Sequence, residues 1–160
     1  MNIESVFPAF DAQQQPRAFY EAISDVLHKT PGFRLFTILS CEHQRQLVQR
    51  IYSSEPAAYP VGGTKKMLQT PWSQKVMELG ESHIGVSRDE IQNAFFDYEL
   101  IWSLGGECFM IVPIRWRGVT LGTLNLFHGL DRYGAAEAIN VRLVAQLAIP
   151  AVQLSIADMQ

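Results

Sequence analysis

The sequence predicts an α+β domain organised on an antiparallel sheet, and three stretches carry that prediction. Gly106 to His128 is two apolar runs joined by Arg115-Trp116-Arg117-Gly118, the pattern of a buried hairpin. Upstream, a helical pattern leads into two strand patterns separated by a short polar turn, which is an antiparallel pair. Downstream, the residues towards Ala157 are helical and apolar over a wider arc than one packing face needs.

Taken in order, residues 1–15, with Pro8 and the Gln13-Gln14-Gln15 run, read as an N-terminal arm in which Val6, Phe7 and Phe10 offer docking side chains. Pro16 suits the first position of a helix, and Phe19, Ile23, Val26 and Leu27 then fall at i, i+4, i+7 and i+8 on one face. Pro31-Gly32 ends that helix. Phe33 to Leu39 is a strand, Cys41 to Arg45 a turn, and Gln46 to Ser53 a second strand. From Ser54 to Thr70 the pairs Glu55-Pro56, Tyr59-Pro60 and Gly62-Gly63 allow neither helix nor strand for long, and long loops in small domains are often functional.

Thr70-Pro71 is an N-cap followed by proline, opening a short helix with Trp72, Val76 and Met77. His83 to Val86 is a short strand. Ser87 with Glu90 three residues on is a capping-box pattern for a helix carrying Ile91, Ala94 and Phe95. Asp97 opens a further short helix in which Leu100, Ile101 and Leu104 share a face, stopped by Gly105-Gly106.

The hairpin has three irregular positions. Pro113 cannot donate a ladder hydrogen bond, so its nitrogen side must face a bulge, a strand end or an unpaired edge. Gly122 marks a bulge or a backbone passing close by. Asn125 puts an amide into an apolar strand, where it must find partners if buried. The terminal helix begins between Gly134 and Ala138, and Pro150 requires a kink or a break near Ile149. Its second apolar face, spread over residues from Ile139 to Ile156, implies a contact with another copy of the chain.

The 160 residues suit one domain, over 16–157 after the arm. A composition 48% hydrophobic and 18% charged is that of a soluble globular chain, and a net charge of −3 leaves no basic footprint for nucleic acid. Apolar windows are interrupted by Pro113, Arg115, Arg117 and Pro150, and none reaches the roughly 20 residues that span a bilayer. Two cysteines make no disulfide framework, and the N-terminus shows no basic segment followed by an apolar one. The expected location is the cytoplasm.

The order of helix, two strands, long loop with short helices, hairpin and terminal helix resembles the GAF domain family. Val112-Pro113-Ile114, Gly118 and Leu121-Gly122-Thr123-Leu124-Asn125-Leu126 carry the resemblance. Tyr59-Pro-Val-Gly-Gly63, Thr70-Pro-Trp72 and Phe95-Phe-Asp-Tyr-Glu-Leu-Ile-Trp-Ser-Leu-Gly105 look most like small stand-alone bacterial members. The resemblance covers Pro16 to Ala157. It implies a profilin-like antiparallel sheet between N- and C-terminal helices on one side and a loop and short-helix layer on the other. It also implies a ligand pocket between the sheet and that layer, and a sensory or regulatory module paired as a homodimer through its N- and C-terminal helices. A shared fold does not name the ligand, so cofactor and small molecule stay open.

Mapped onto this chain, the pocket candidates are Tyr59, Trp72, Phe95, Phe96, Ile101, Cys108 and Asn125, mostly aromatic with a few polar groups, a set suited to a planar or amphiphilic molecule. The same aromatics also serve as core beneath a long loop. Gly62-Gly63-Thr64-Lys65-Lys66 lacks the first glycine of a P-loop and a strand leading in, leaving a weaker anion site or a solvated loop. The family members that reduce free methionine sulfoxide use more than one cysteine before the hairpin, whereas Trp102-Ser-Leu-Gly-Gly-Glu107 contains none. No metal-ligand spacing appears among Cys41, His43, His28, His83 and His128, a lone His128 is a weak haem ligand, and no cysteine is placed for a bilin. Asp97 and Glu99, at i and i+2, point apart on a helix and make no acid–base pair. No catalytic residue is assigned. The expectation is a non-catalytic small-molecule module, with a small redox or other enzyme using the same pocket, or a ligand-free interaction module, as the alternatives.

Overall fold

The two apolar runs pair as strands β5 (Cys108–Trp116) and β6 (Val119–His128), antiparallel from Cys108 opposite His128 to Trp116 opposite Val119. The computed structural model describes all 160 residues. It adds β1 (Leu35–Glu42), β2 (Leu47–Ser53), β3 (Thr64–Lys66) and β4 (His83–Gly85) to form one antiparallel sheet in the order β3-β2-β1-β6-β5-β4. The helices are α1 (Arg17–Lys29), α2 (Pro71–Gln74), α3 (Arg88–Ala94), α4 (Tyr98–Ser103), α5 (Ala135–Leu147) and α6 (Ile149–Asp158).

The period-two alternation of strand side chains divides the hairpin between two cores. Cys108, Met110, Val112, Ile114, Leu124 and Leu126 face α1, α5 and α6 in the larger core, with Phe19, Ile23 and Leu27 from α1 and Val141, Val144 and Val152 from the terminal pair. Phe109, Ile111 and Phe127 face the other way, against Tyr59, Val76, Ile91, Phe95 and Ile101 from the loop and short helices. Phe36, Phe109 and Phe127 are almost wholly buried, each worth roughly 1.5–3 kcal/mol of transfer free energy. The expected sandwich of terminal helices, sheet and short-helix layer is what the chain forms.

The irregular positions resolve physically. Strand β4 pairs only with Phe109–Ile111, so Pro113 lies beyond its end, where the edge of β5 has no neighbour to receive a proton. The strand register slips between Ile114 and Arg115, and at Gly122 the carbonyl of Leu39 occupies the space a Cβ would need. The terminal helix breaks at Ala148, with α5 and α6 bent by 53° and Pro150 in the first turn of α6. No single helix is long and apolar enough to cross a membrane.

Two local readings change. The loop from Ser54 to Thr70 contains β3, a three-residue strand paired with β2, which its glycines and prolines concealed. The arm holds a 3-10 helix, Ile3–Asp11, whose Val6 is wholly buried in the larger core while the Phe10 ring packs 4.8 Å from that of Phe19.

Candidate functional site

Between the sheet and the short-helix layer lies a small cavity of roughly 40 Å³. Its floor is Leu39, Ile111, Thr123 and Asn125, the side chains that the alternation turns away from the terminal helices. Its roof includes Trp72 and Ser73 of α2, Ala94 at the end of α3 and Phe95 just after it. The roof is held by local capping. Thr70 Oγ1 accepts from Ser73 N while Ser73 Oγ accepts from Thr70 N, and Ser87 Oγ accepts from Glu90 N. The Trp72 ring stacks on His83 at 5.9 Å, and Phe95 meets Phe109 and Phe127 edge-on at 5.1 and 5.2 Å. Burial first, and Lys75 second, hold the His83 imidazole below its ordinary pKa, with Glu90 opposing them.

This cavity is unusual in what it leaves unpaired. Trp72 Nε1, Thr123 Oγ1 and Asn125 Oδ1 are buried atoms without a hydrogen-bond partner, and all three residues line it. Asn125 is 4% exposed and Thr123 1%. The Asn125 amide is tied only by Nδ2 donating to Thr37 Oγ1 at 3.4 Å, from the directly opposed position on β1. An unpartnered buried donor or acceptor costs about 1–3 kcal/mol, so such groups normally have a partner.

A second cavity, of about 210 Å³, lies towards the surface and shares Leu39, Val48 and Lys65 with the first. Its wall is a charged cluster. The Arg50 guanidinium lies 3.5 Å over the Tyr59 ring, donates to Pro60 O at 2.8 Å and sits 3.8 Å from Asp97 Oδ2, which also accepts a short bond from the Tyr59 hydroxyl. Burial, reinforced by the bond to Asp97, pushes the Tyr59 phenol far up. Lys65 is held below its ordinary pKa mainly by burial; the Asp97 carboxylate opposes this and Arg50 adds to it. Arg50 Nε and Asp97 Oδ1 are buried and unpartnered. Residues lining these two adjoining cavities therefore carry five of the six buried side-chain polar atoms without a partner, Trp102 Nε1 being the sixth. Larger surface clefts, such as one of about 550 Å³ beside Tyr20 and Tyr52, hold none of them.

Among the expected pocket residues, Trp72, Phe95 and Asn125 line the inner cavity, and Tyr59 and the 80%-exposed Phe96 line the outer one. Ile101 is fully buried in the core beneath them and lines neither. Cys108 is a correction. It shares its strand face with Met110 and Val112, so it packs on the terminal-helix side, with its Sγ–H donating to Gly129 O at 3.0 Å. Cys41 lies 3.7 Å from Met77 Sδ, and burial pushes its thiol up to about 12. His128 Nδ1 accepts from Gly129 N at 2.8 Å. Arg50, Lys65, Asp97 and Thr123 were missed as pocket residues. The strand alternation that includes Asn125 also selects Thr123, whereas the convergence of Arg50, Lys65 and Asp97 from β2, β3 and the residue before α4 has no local signal.

No family model matches the chain, and no curated protein matches it. Solved structures do. The GAF domain of an Acinetobacter phosphoenolpyruvate-protein phosphotransferase superposes with a TM-score of 0.74 at 10% identity, covering 96% of this chain and 92% of that one. The GAF domain of a two-component sensor histidine kinase from Bacillus halodurans gives 0.68 at 12% identity, covering 88% and 95%. A segment of a methyl-accepting chemotaxis protein gives 0.69 at 16% identity, covering 94% and 97%. At these identities the likeness speaks for the architecture: the chain has the fold of a GAF domain.

Proposed function

We propose that this chain is a non-catalytic, cytoplasmic sensory or regulatory module that binds a small molecule between its sheet and short-helix layer. The observation that carries the reading is the clustering of orphaned buried polar atoms on residues that line two adjoining cavities in that layer. A site built for a ligand leaves its recognition groups unpaired until the ligand arrives, whereas an aromatic core filling itself has no use for them. The similar folds in a sensor kinase and a chemotaxis protein support the sensory half. Occupancy has a short route outward, because Asn125 and Thr123 alternate along β6 with Leu124 and Leu126, which pack under the terminal helices.

Those helices also carry the homodimer. Ile139 and Leu143, one turn apart on α5, are 67% and 61% exposed, and Leu154 on α6 and Phe7 and Phe10 on the arm are exposed as well. Exposed large apolar side chains such as these favour burial against a second copy.

Native mass spectrometry of freshly purified protein, compared with the same sample denatured, tests the binding. The expected result is a non-covalent adduct that disappears on denaturation. Bare protein under gentle conditions, with no ligand from a metabolite extract retained, would overturn the reading.

A further inference from the structure

The orphaned atoms have complementary chemistry, and together they describe a molecule. Two residues lining the outer cavity carry unpartnered atoms, one anionic acceptor, Asp97 Oδ1, and one cationic donor, Arg50 Nε. Lys65, which lines both cavities, takes part in none of the chain's four ion pairs. The cluster thus offers two cations and one carboxylate, with at least one site of each sign unsatisfied. Residues lining the inner cavity carry an unpartnered donor, Trp72 Nε1, an acceptor, Asn125 Oδ1, and a hydroxyl that is both, Thr123 Oγ1. Buried charged groups without partners are costly, so a ligand that completes this set must bring both signs of charge at one end and a hydrogen-bonding group at the other.

We propose that the site takes a small free α-amino acid with a polar side chain. This rests on the small-molecule reading above and names its ligand class. The ammonium group donates to the Asp97 carboxylate, the ligand carboxylate accepts from the Arg50 guanidinium and Lys65, and the side chain enters the inner cavity. There a hydroxyl or amide accepts from Trp72 Nε1 and donates to Asn125 Oδ1. A cavity of about 40 Å³ takes only a few heavy atoms, which excludes branched aliphatic and aromatic side chains.

Isothermal titration of the full chain with L-serine and L-asparagine, against probes lacking one feature each, tests this. Ethanolamine lacks the carboxylate, 3-hydroxypropanoate lacks the ammonium, and L-leucine lacks the polar side chain. The expected result is saturable binding of at least one of the two polar amino acids, with each deficient probe weaker by about tenfold or more. Lys65→Met, on a short edge strand, should melt like wild type and weaken amino-acid binding by about tenfold, while Lys29→Met, on α1 in the opposite layer, leaves it unchanged. In Asp97→Asn, if folded by circular dichroism, the preference for L-serine over 3-hydroxypropanoate should disappear. Ethanolamine, 3-hydroxypropanoate or L-leucine binding as well as the amino acids would overturn the proposal, and so would failure of both amino acids to titrate. A native adduct of some other mass alongside that failure would sink the amino-acid assignment alone. Absence of any adduct would sink the small-molecule reading with it.

Discussion

Replacing Gly122 with alanine tests how the hairpin is seated on the rest of the sheet. A Cβ at this position would fall on the carbonyl oxygen of Leu39, with Val152 Cγ1 3.4 Å away on the α6 side. The obstructing atom is backbone, and β1 is held on both sides by β2 and β6, so it cannot rotate aside as a side chain would. Relief requires β6 to lift from β1 around the pairing of Gly122 with Ser40. Overpacking of this kind costs about 1–3 kcal/mol, and each ladder bond loosened adds about 1 kcal/mol. A total of about 3 kcal/mol, at 2–4 °C per kcal/mol for a chain of this size, lowers the melting midpoint by roughly 6–12 °C. Gly118→Ala is the control, since its added Cβ meets nothing within 4 Å and only the left-handed backbone, φ +77°, resists it at roughly 1–2 kcal/mol. Thermal melts followed by circular dichroism decide the matter. A Gly122→Ala midpoint within about 2 °C of wild type would refute the account of a backbone passing too close for any side chain.

Other perturbations have definite expected outcomes. Asn125→Leu gives up one long bond to Thr37 and removes an oxygen that already lacks a partner, so it should cost no more than about 1 kcal/mol while abolishing the native adduct; a large stability loss would mean that the amide is structural. His83 has a depressed folded pKa, so the unfolded chain binds the extra proton. Its contribution is complete above the ordinary value near about 6.5 and is lost as pH falls below that towards the folded value. His83→Phe should therefore lessen the fall in urea midpoint between about pH 7 and about pH 5, with the similarly lowered His128 retaining part of it; an unaltered pH slope contradicts this. Burial raises both thiols, Cys41 up to about 12, so a chromogenic disulfide should label neither cysteine in the native protein and both after unfolding. Leu143→Glu should shift a sedimenting dimer to monomer without lowering the melting midpoint of the monomer, because the side chain is 61% exposed.

Much of this architecture is legible in the order of residues, because the signals are local. Phe19, Ile23 and Leu27 repeat at helical spacing, Thr70-Pro71 and Ser87 cap helices through neighbours within three residues, and the hairpin alternates strictly enough to assign each side chain to a face. The same alternation, applied to the parity of Cys108 and Met110, separates Cys108 from Asn125 and would have removed it from the pocket. Strand β3 escaped because its three residues have no periodicity of their own and exist as a strand only through pairing with Leu47–Gln49. The charged half of the site escaped for a related reason. Arg50 and Asp97 are 47 positions apart, and each alone reads as an ordinary solvated charge until the fold stacks Tyr59 between strand and loop.

The two short outer strands have a consequence for how copies of this chain can meet. At one margin of the sheet β3 offers three residues, two of them lysines, and at the other β4 stops after three, leaving the unpaired flank of β5 to the buried Pro113, which has no proton to give. A foreign strand arriving at either margin finds repulsion or a missing donor where it needs an unbroken ladder. Stitching of sheets between copies, the usual route from a half-opened domain to fibrous aggregates, is disfavoured at both margins, and in the homodimer proposed above side chains of the helical layer, not main chain, decide the partner.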